Sequence, residues 1–306
     1  MAPEDEEKTA FITEYGLYCW KVMPFGLKKA GPTYQRMVNY IFASQIGRNM
    51  EIYVDDMLVK SKARVDHLAN LRETFNQLRQ SRLKMYPEKC SFGVVLGKFL
   101  GYMISSRGIE PNPDMIEALL GMKPPNSYKD VRKLTGCLAA LNRFISKSGE
   151  RNLPFFKNLK RMSKEKFVWD EECKGAFKEL KRYLGLPQLL SRPKPREQLQ
   201  MYLAIFDVAV SSVLIREVEG VQKLIYYVSH VLRDTEERYP IIDKASFALV
   251  ISLKKLKAYF ESYPVQVVTN QPLKWVLSNP ALLGRLTTWA IELSEFEISY
   301  TPRTSV

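Results

Sequence analysis

The adjacent aspartates Asp55 and Asp56 are the residues of this sequence best suited to chemistry. They lie in the run Ile52-Tyr53-Val54-Asp55-Asp56-Met57-Leu58-Val59, where apolar, β-prone residues flank both acids. Folded as a hairpin, such a run puts the carboxylates at or beside the tip while the flanks pack. Carboxylates so placed are hard oxygen ligands of the kind that hold Mg2+. Two such ions lower the pKa of an attacking 3′-hydroxyl and stabilise the charge on a leaving pyrophosphate. Taken alone, an Asp-Asp turn between apolar strands is more often simply a turn.

The surrounding elements decide whether the acids can be held. Residues 1 to about 112 mix short strands with helices. Strands are predicted at Phe11 to Thr13 and Tyr18 to Val22 around a Tyr15-Gly16 turn, at Glu51 to Lys60 as a tight pair, and at Phe99 to Ser105. Helices are predicted at Pro32 to Phe42 and at His67 to Arg82, where Leu68, Leu71, Phe75 and Leu78 recur at helical spacing. Residues 113 to 185 read as helical: Ser127 opens a helix carrying Val131, Leu134, Leu138 and Leu141, and Asp170 opens another running to Leu184. Pro187, Pro193 and Pro195 make residues 186–197 read as a linker. Residues 198–306 then run strand, strand, strand, helix, strand, helix, strand, with a long helix at Tyr239 to Tyr259. The fold class is α+β or mixed α/β, in several domains.

Composition is that of a globular protein: 306 residues, 46% hydrophobic and 26% charged. The formal net charge of +13 suits a polyanionic partner, since Lys and Arg displace counterions from phosphates. Between residues 151 and 197 there are 13 Lys or Arg against 6 Asp or Glu, a local excess that suits duplex backbone or, equally, a set of solvated helix faces. Cys19, Cys90, Cys137 and Cys173 are widely spaced, with His67 and His230 the only histidines. That pattern suggests neither a zinc site nor a disulfide framework. No apolar run has the length of a membrane span, and the acidic start Met1-Ala2-Pro3-Glu4-Asp5-Glu6-Glu7 is unlike a signal peptide.

Three further segments accompany the carboxylate run. Upstream is Met23-Pro24-Phe25-Gly26-Leu27-Lys28-Lys29-Ala30-Gly31-Pro32-Thr33-Tyr34-Gln35-Arg36; downstream are Tyr86-Pro87-Glu88-Lys89-Cys90-Ser91-Phe92 and Phe99-Leu100-Gly101-Tyr102. In this order and spacing the segments resemble the reverse transcriptases of Ty3/gypsy-type LTR retrotransposons, plant elements above all, over essentially the whole chain. The resemblance implies a partial fingers and palm region at 1–112, a thumb at 113–185, the linker, and an RNase H-like domain at 198–306. It implies that Asp55 and Asp56 bind Mg2+ (or Mn2+), that Tyr53 lies near the primer end, and that Phe25 and Gly26 form the turn beside the incoming nucleotide. Lys89 matches a lysine that assists pyrophosphate departure, and Phe99, Leu100, Gly101 and Tyr102 match the hairpin that grips the primer; their plain readings are a surface lysine and a packed strand.

Two departures from the family bear on activity. The family carries another palm aspartate on a strand preceding the segment that matches Met1-Ala2-Pro3-Glu4, so the resemblance implies an N-terminally truncated palm lacking one metal ligand. Glu4, Asp5, Glu6 and Glu7 match a surface run instead. In the last domain three acidic positions of the family's nuclease correspond to Ala204, Ala245 and Asn270, and the sequence stops at Val306, before the family's last acidic residue. Alanine cannot bind a metal and Asn is a weak neutral ligand. Asp207, three residues along a strand, falls on the opposite face; Asp243, two residues back on a helix, falls roughly 200° around it. This domain is therefore expected to be degenerate, incomplete at its C-terminus and catalytically silent.

The resemblance implies an RNA-directed DNA polymerase fragment acting on an RNA/DNA template–primer duplex and dNTPs. The other Pol domains (integrase, protease and upstream fingers) would be its partners in an intracellular setting, a cytoplasmic virus-like particle or the nucleus. The alternatives are a non-catalytic nucleic-acid-binding remnant and a protein co-opted from such an element.

Overall fold

In the computed structural model, which describes residues 1–161, 167–186, 188–279 and 284–303, the chain forms two units, Met1–Leu100 and Gly101–Val306. The first contains helix α1 (Pro3–Glu6), strands β1 (Phe11–Thr13) and β2 (Gly16–Tyr18), helix α2 (Ala30–Ile41), strands β3 (Met50–Tyr53) and β4 (Asp56–Val59), helix α3 (His67–Gln80) and strand β5 (Gly97–Phe99). Strands β3 and β4 pair antiparallel from Met50↔Val59 to Tyr53↔Asp56, so the predicted hairpin is present with a two-residue loop. Its support is a small core of Val38, Phe42, Met50 and Leu78, joined by Tyr34, Ile52, Met57 and Phe75. Polar side chains pin the same helices: Gln45 Nε2 donates to Thr74 Oγ1 at 3.1 Å and Gln77 Nε2 to the Ile41 carbonyl at 2.7 Å.

Three predictions for this unit need correction. Strand β2 ends at Tyr18, because the Trp20 amide turns to the Thr9 hydroxyl at 3.1 Å rather than to a strand partner. Leu68 shares the helical spacing of α3 but is exposed; Thr74 and Leu78 are the buried residues of that helix. The run Phe99 to Ser105 is not one strand, since Leu100 (φ 52°) and Gly101 (φ 77°) both adopt positive φ and break it into a turn.

The second unit begins with strands β6 (Tyr102–Ser105) and β7 (Gly108–Pro111) and helices α4 (Pro113–Leu120), α5 (Tyr128–Leu141), α6 (Ser148–Arg151), α7 (Leu153–Arg161) and α8 (Glu171–Leu184). The predicted caps are made: the Ser127 hydroxyl accepts from the Asp130 amide and Asp170 Oδ1 from the Cys173 amide, satisfying donors that a helix start leaves open. Leu119, Val131, Leu134, Leu138, Phe144, Phe155, Phe177 and Leu180 form the helical core. Cys173 is part of it, and burial pushes its thiol up to about 11. Cys137 is half-buried against the same cluster.

The segment 186–197 is not a free linker. Within it, strand β8 (Leu190–Ser191) pairs with β7 through Ile109↔Leu190, and Leu190 is buried. Gly108 permits this approach, because a Cβ there would lie 2.0 Å from the Leu190 carbonyl oxygen. Pro187 lies outside the described residues. The predicted boundaries at 112 and 185 both lie within the second unit, Gly101–Val306.

The remainder is a five-stranded sheet of β9 (Leu199–Ile205), β10 (Ala209–Val218), β11 (Val221–Val231), β12 (Val265–Val268) and β13 (Ile298–Thr301), in the order β11-β10-β9-β12-β13. The first three strands are antiparallel; β12 runs parallel to β9 and β13. Helix α9 (Asp234–Glu237) precedes the long α10 (Ile241–Ser262), whose Leu249, Leu253 and Leu256 pack on the sheet with Met201, Val210, Leu214 and Val267; α11 (Leu273–Leu277) and α12 (Arg285–Ser294) follow. No described helix is long and apolar enough to cross a membrane.

Helices and sheet are joined closely inside this unit. The Gly149 amide donates to Ser229 Oγ at 2.9 Å, and that hydroxyl bonds Ser211 Oγ at 2.7 Å. The Arg143 guanidinium lies 4.6 Å from the Tyr102 ring centre and 4.9 Å from that of Tyr226. A Cβ on Gly149 would meet Ser229 Oγ at 2.8 Å, whereas one on Gly136, also helical, meets nothing. Gly149→Ala is therefore expected to lower unfolding stability by about 1–3 kcal/mol. Gly136→Ala is expected to raise it by up to about 1 kcal/mol. Urea titration of the two variants beside the parent chain measures both.

Candidate active site

The loop joining β3 to β4 consists of Val54 and Asp55. Of these only Val54 has positive φ, at 48°. A hairpin loop with positive φ at its first residue alone is the pattern normally given to glycine, so a β-branched residue there is strained. The strain is held from α2. Gln35 Oε1 accepts the Val54 amide at 2.6 Å, while its Nε2 donates to the Ile52 carbonyl at 3.3 Å and to Asn39 Oδ1 at 2.8 Å. Gln35 thus bonds the chain on both sides of Tyr53, and sequence reasoning passed it over. A glutamine on an amphipathic helix reads as a surface residue; its only signal is membership of the Met23–Arg36 segment.

The hairpin presents Asp55 and Asp56 to solvent, with Tyr53 57% exposed beside them. The two acids differ in their surroundings. Asp56 Oδ2 accepts the Leu100 amide at 3.0 Å, a bond spanning 44 residues; among the described residues Asp55 has no such partner. Two adjacent carboxylates fit Mg2+ or Mn2+ as hard ligands, and waters fill the other positions of such ions. Among the described residues no three His, Cys, Asp or Glu side chains are grouped to hold a metal.

The other predicted positions have surroundings of their own. Phe25 is fully exposed and Gly26 has φ 96° in the same turn, with nothing within 4 Å of where a Cβ would stand. The turn itself requires the glycine. Lys89 closes the short 3-10 turn Pro87–Lys89, its Nζ 5.7 Å from the Tyr86 ring centre; among the described residues no hydrogen bond or ion pair joins it to Asp55 or Asp56. Phe99 is half-buried and Leu100 exposed. Tyr102 faces inward in the second unit, its ring 5.8 Å from that of Phe144 and capped by Arg143.

In the sheet of the second unit, Ala204 lies opposite Ser211 on β10, Ala245 is fully buried on α10, and Asn270 follows β12. One arginine joins two of these places. Arg303 donates its amide to Asn270 Oδ1 at 2.9 Å and its Nη2 to the Leu203 carbonyl at 2.6 Å, beside Ala204. The buried Lys244 donates to the Asp207 carbonyl at 2.9 Å. Asp207 follows β9 rather than lying on it as predicted, because the strand ends at Ile205. Asp243 is buried and engaged by Arg285 at 2.6 Å, and this carboxylate raises the Arg285 pKa above its already high ordinary value.

Acids engage part of the basic excess in the helical region: Arg151 pairs with Glu179, Lys157 with Glu172 and Lys174 with Glu171. Lys181 instead caps the carbonyls of Leu120 and Met122. Lys178, Arg182, Arg192, Lys194 and Arg196 are exposed.

The carboxylate-tipped hairpin is followed in the chain by a helical region and a mixed five-stranded sheet. Residues 1–104 match the family described as reverse transcriptase (RNA-dependent DNA polymerase), and residues 194–296 match the RNase H-like domain found in reverse transcriptase. The retrovirus-related Pol polyprotein from transposon opus of Drosophila melanogaster is 31% identical over 99% of this chain and 31% of its own length. The Tf2-3 transposon polyprotein of Schizosaccharomyces pombe is 28% identical over 97% of this chain and 23% of its own length. The foamy viral protease-reverse transcriptase in complex with an RNA/DNA hybrid superposes over the whole chain and 42% of its own, with a TM-score of 0.85 at 19% identity. The same viral protein in complex with double-stranded DNA gives 0.82 at 20% identity, over 65% of its own length. The chain thus carries the reverse transcriptase and RNase H-like sequence of a Ty3/gypsy-like retrotransposon Pol polyprotein, and it spans about a third or less of the curated relatives it matches.

Loss of the Gln35 side chain leaves the Val54 amide without its partner. Gln35→Leu is expected to lower stability by about 1–2 kcal/mol. Adding Val54→Gly is expected to recover part of that loss by releasing the backbone strain. A double-mutant cycle followed by urea unfolding checks the coupling; strictly additive effects would show that Gln35 does not hold the strained turn.

Proposed function

We propose that this segment contributes the carboxylate hairpin and the duplex-holding surfaces of a retrotransposon RNA-directed DNA polymerase. The observation that carries the reading is the pair of exposed, adjacent carboxylates, Asp55 and Asp56, on a braced hairpin within the reverse transcriptase-like stretch. On this reading Asp55 and Asp56 hold Mg2+ (or Mn2+). When bound, the metal supplies Lewis acidity toward the primer 3′-hydroxyl and the departing pyrophosphate. Gln35 keeps the tip in one conformation, which matters because small displacements of reacting groups cost large factors in rate. Phe25 and Gly26 border the dNTP, Tyr53 lies by the primer end, and Lys89 meets the pyrophosphate. The turn Phe99–Tyr102 grips the primer, Leu100 and Gly101 providing its exposed part.

Residues 113–185 act as the thumb, and the exposed cations Lys178, Arg182, Arg192, Lys194 and Arg196 contact duplex phosphates. The likeness to foamy viral structures in complex with hybrid and with double-stranded DNA supports a template–primer duplex as the partner. Integrase, protease and upstream fingers of the parent polyprotein are the further partners, in an intracellular setting, and a plant element is the proposed source. The RNase H-like domain is proposed to be silent: Ala204, Ala245 and Asn270 offer no carboxylate, and Asp243 is engaged by Arg285. A second reading, duplex binding without polymerisation, is favoured by the net charge of +13.

In a Pol chain that includes the preceding palm sequence, Asp55→Asn or Asp56→Asn is expected to cut dNTP incorporation by about 100-fold or more while primer–template affinity changes by less than about threefold. Unchanged incorporation would overturn the metal assignment. The 306-residue chain itself is expected to bind duplex with an affinity that falls about tenfold or more from roughly 50 to 200 mM salt. It is expected to leave the RNA of an RNA–DNA hybrid uncut when Mg2+ is present. Salt-independent binding, or Mg2+-dependent hydrolysis, would contradict the duplex-surface and silent-domain assignments respectively.

A further inference from the structure

The hydrogen bond from the Leu100 amide to Asp56 Oδ2 gives one of the two acids a second task. Leu100 adopts φ 52° and the next residue, Gly101, φ 77°. Positive φ at both central residues is the pattern of a type I′ turn, which suits Asn or Gly at the first position and penalises leucine. Such strain persists only where the surroundings over-determine it. The group that meets the strained residue is a carboxylate oxygen 3.0 Å from its amide, in the charge-assisted class of hydrogen bonds. The bond reaches across 44 residues to the hairpin tip. Asp56 Oδ1 has no partner among the described residues, so one oxygen is engaged by the turn while the other is open to solvent.

We infer that Asp56 is a positioning residue for the Leu100–Gly101 turn, holding it through Oδ2 while Oδ1 is left for a divalent cation, so that turn placement and cation occupancy are linked through one carboxylate. Asp55 has no such task. The positioning half stands on the hydrogen bond alone; the linkage half rests on the proposed metal site. With the turn in its proposed role against the primer, Asp56 fixes the spacing between the carboxylate pair and the primer strand. A cation on Oδ1 draws charge from the carboxylate and weakens Oδ2 as an acceptor. By reciprocity, anything that seats the turn changes cation affinity by the same factor.

Amide hydrogen exchange at Leu100, measured on the whole chain, reads this contact directly. Asp56→Ala removes the acceptor and is expected to speed Leu100 exchange about tenfold or more. Asp56→Asn keeps an acceptor oxygen in place, and together with Asp55→Ala is expected to stay within about threefold of the parent. The amides of Ile52 and Met57 report whether the hairpin remains paired, so a general loss of folding is recognised. Mn2+ is expected to speed Leu100 exchange about threefold or more in the parent chain and to leave Asp56→Asn unaffected. Leu100 exchange that is equal in Asp56→Ala and the parent, with the hairpin amides unchanged, would overturn the positioning role. If the variants behave as expected but Mn2+ has no effect on the parent, positioning stands and the metal reading of the pair fails instead.

Discussion

A two-stranded ribbon has too little buried surface to stand alone in water, and that constraint governs the first unit. The β3–β4 hairpin has to carry two like charges at its tip and a strained valine in its loop, so its stability comes from beneath and beside it. Val38 and Phe42 on α2 and Leu78 on α3 close over Met50 at its base, while Gln35 reaches from α2 to the loop itself. One helix thus serves both ends: its apolar face fills the core and one polar side chain fixes the backbone that displays the acids. The arrangement trades backbone comfort for definition, as functional turns commonly do.

Much of this was readable from residue types. Ser127 and Asp170 stand where helix starts need acceptors, and both cap as expected because the local chemistry is sufficient. The hairpin followed from β-prone residues flanking two acids, and the strand and helix order of the last hundred residues followed from apolar periodicity. What escaped was non-local or contrary to propensity. Nothing in valine announces positive φ at residue 54; tertiary bonds impose it. The two-residue β8 hides among prolines because a strand so short has no periodicity, and its pairing depends on a glycine some eighty residues earlier. The break at Leu100 was signalled only by Gly101, and its partner Asp56 belongs to a different part of the sequence.

The five-stranded sheet shows how far fold and site can separate. Its core of Leu199, Met201, Leu214, Leu249, Leu253 and Val267 keeps the layered packing of the RNase H-like family. Ala204, Ala245 and Asn270, which the family resemblance sets against acidic positions, carry side chains that pack or hydrogen-bond. Arg143, stacked between Tyr102 and Tyr226, and Gly149, bonded to Ser229, tie the helical region to this sheet, so the sheet has a structural task that needs no catalytic group.

The full burial of Ala245 has a consequence for what such a chain can become. A carboxylate introduced at that position would meet an apolar interior, and an isolated buried charge is severely penalised. Its neighbour Asp243 is held by Arg285, and Arg303 spans Asn270 and the backbone beside Ala204. At Asn270 an aspartate would accept the same Arg303 amide, so Ala245 is the position that packing closes to a carboxylate. A metal-binding set of acids in this sheet would therefore need the core around Ala245 to be rebuilt as well, several simultaneous changes that point mutation supplies only rarely.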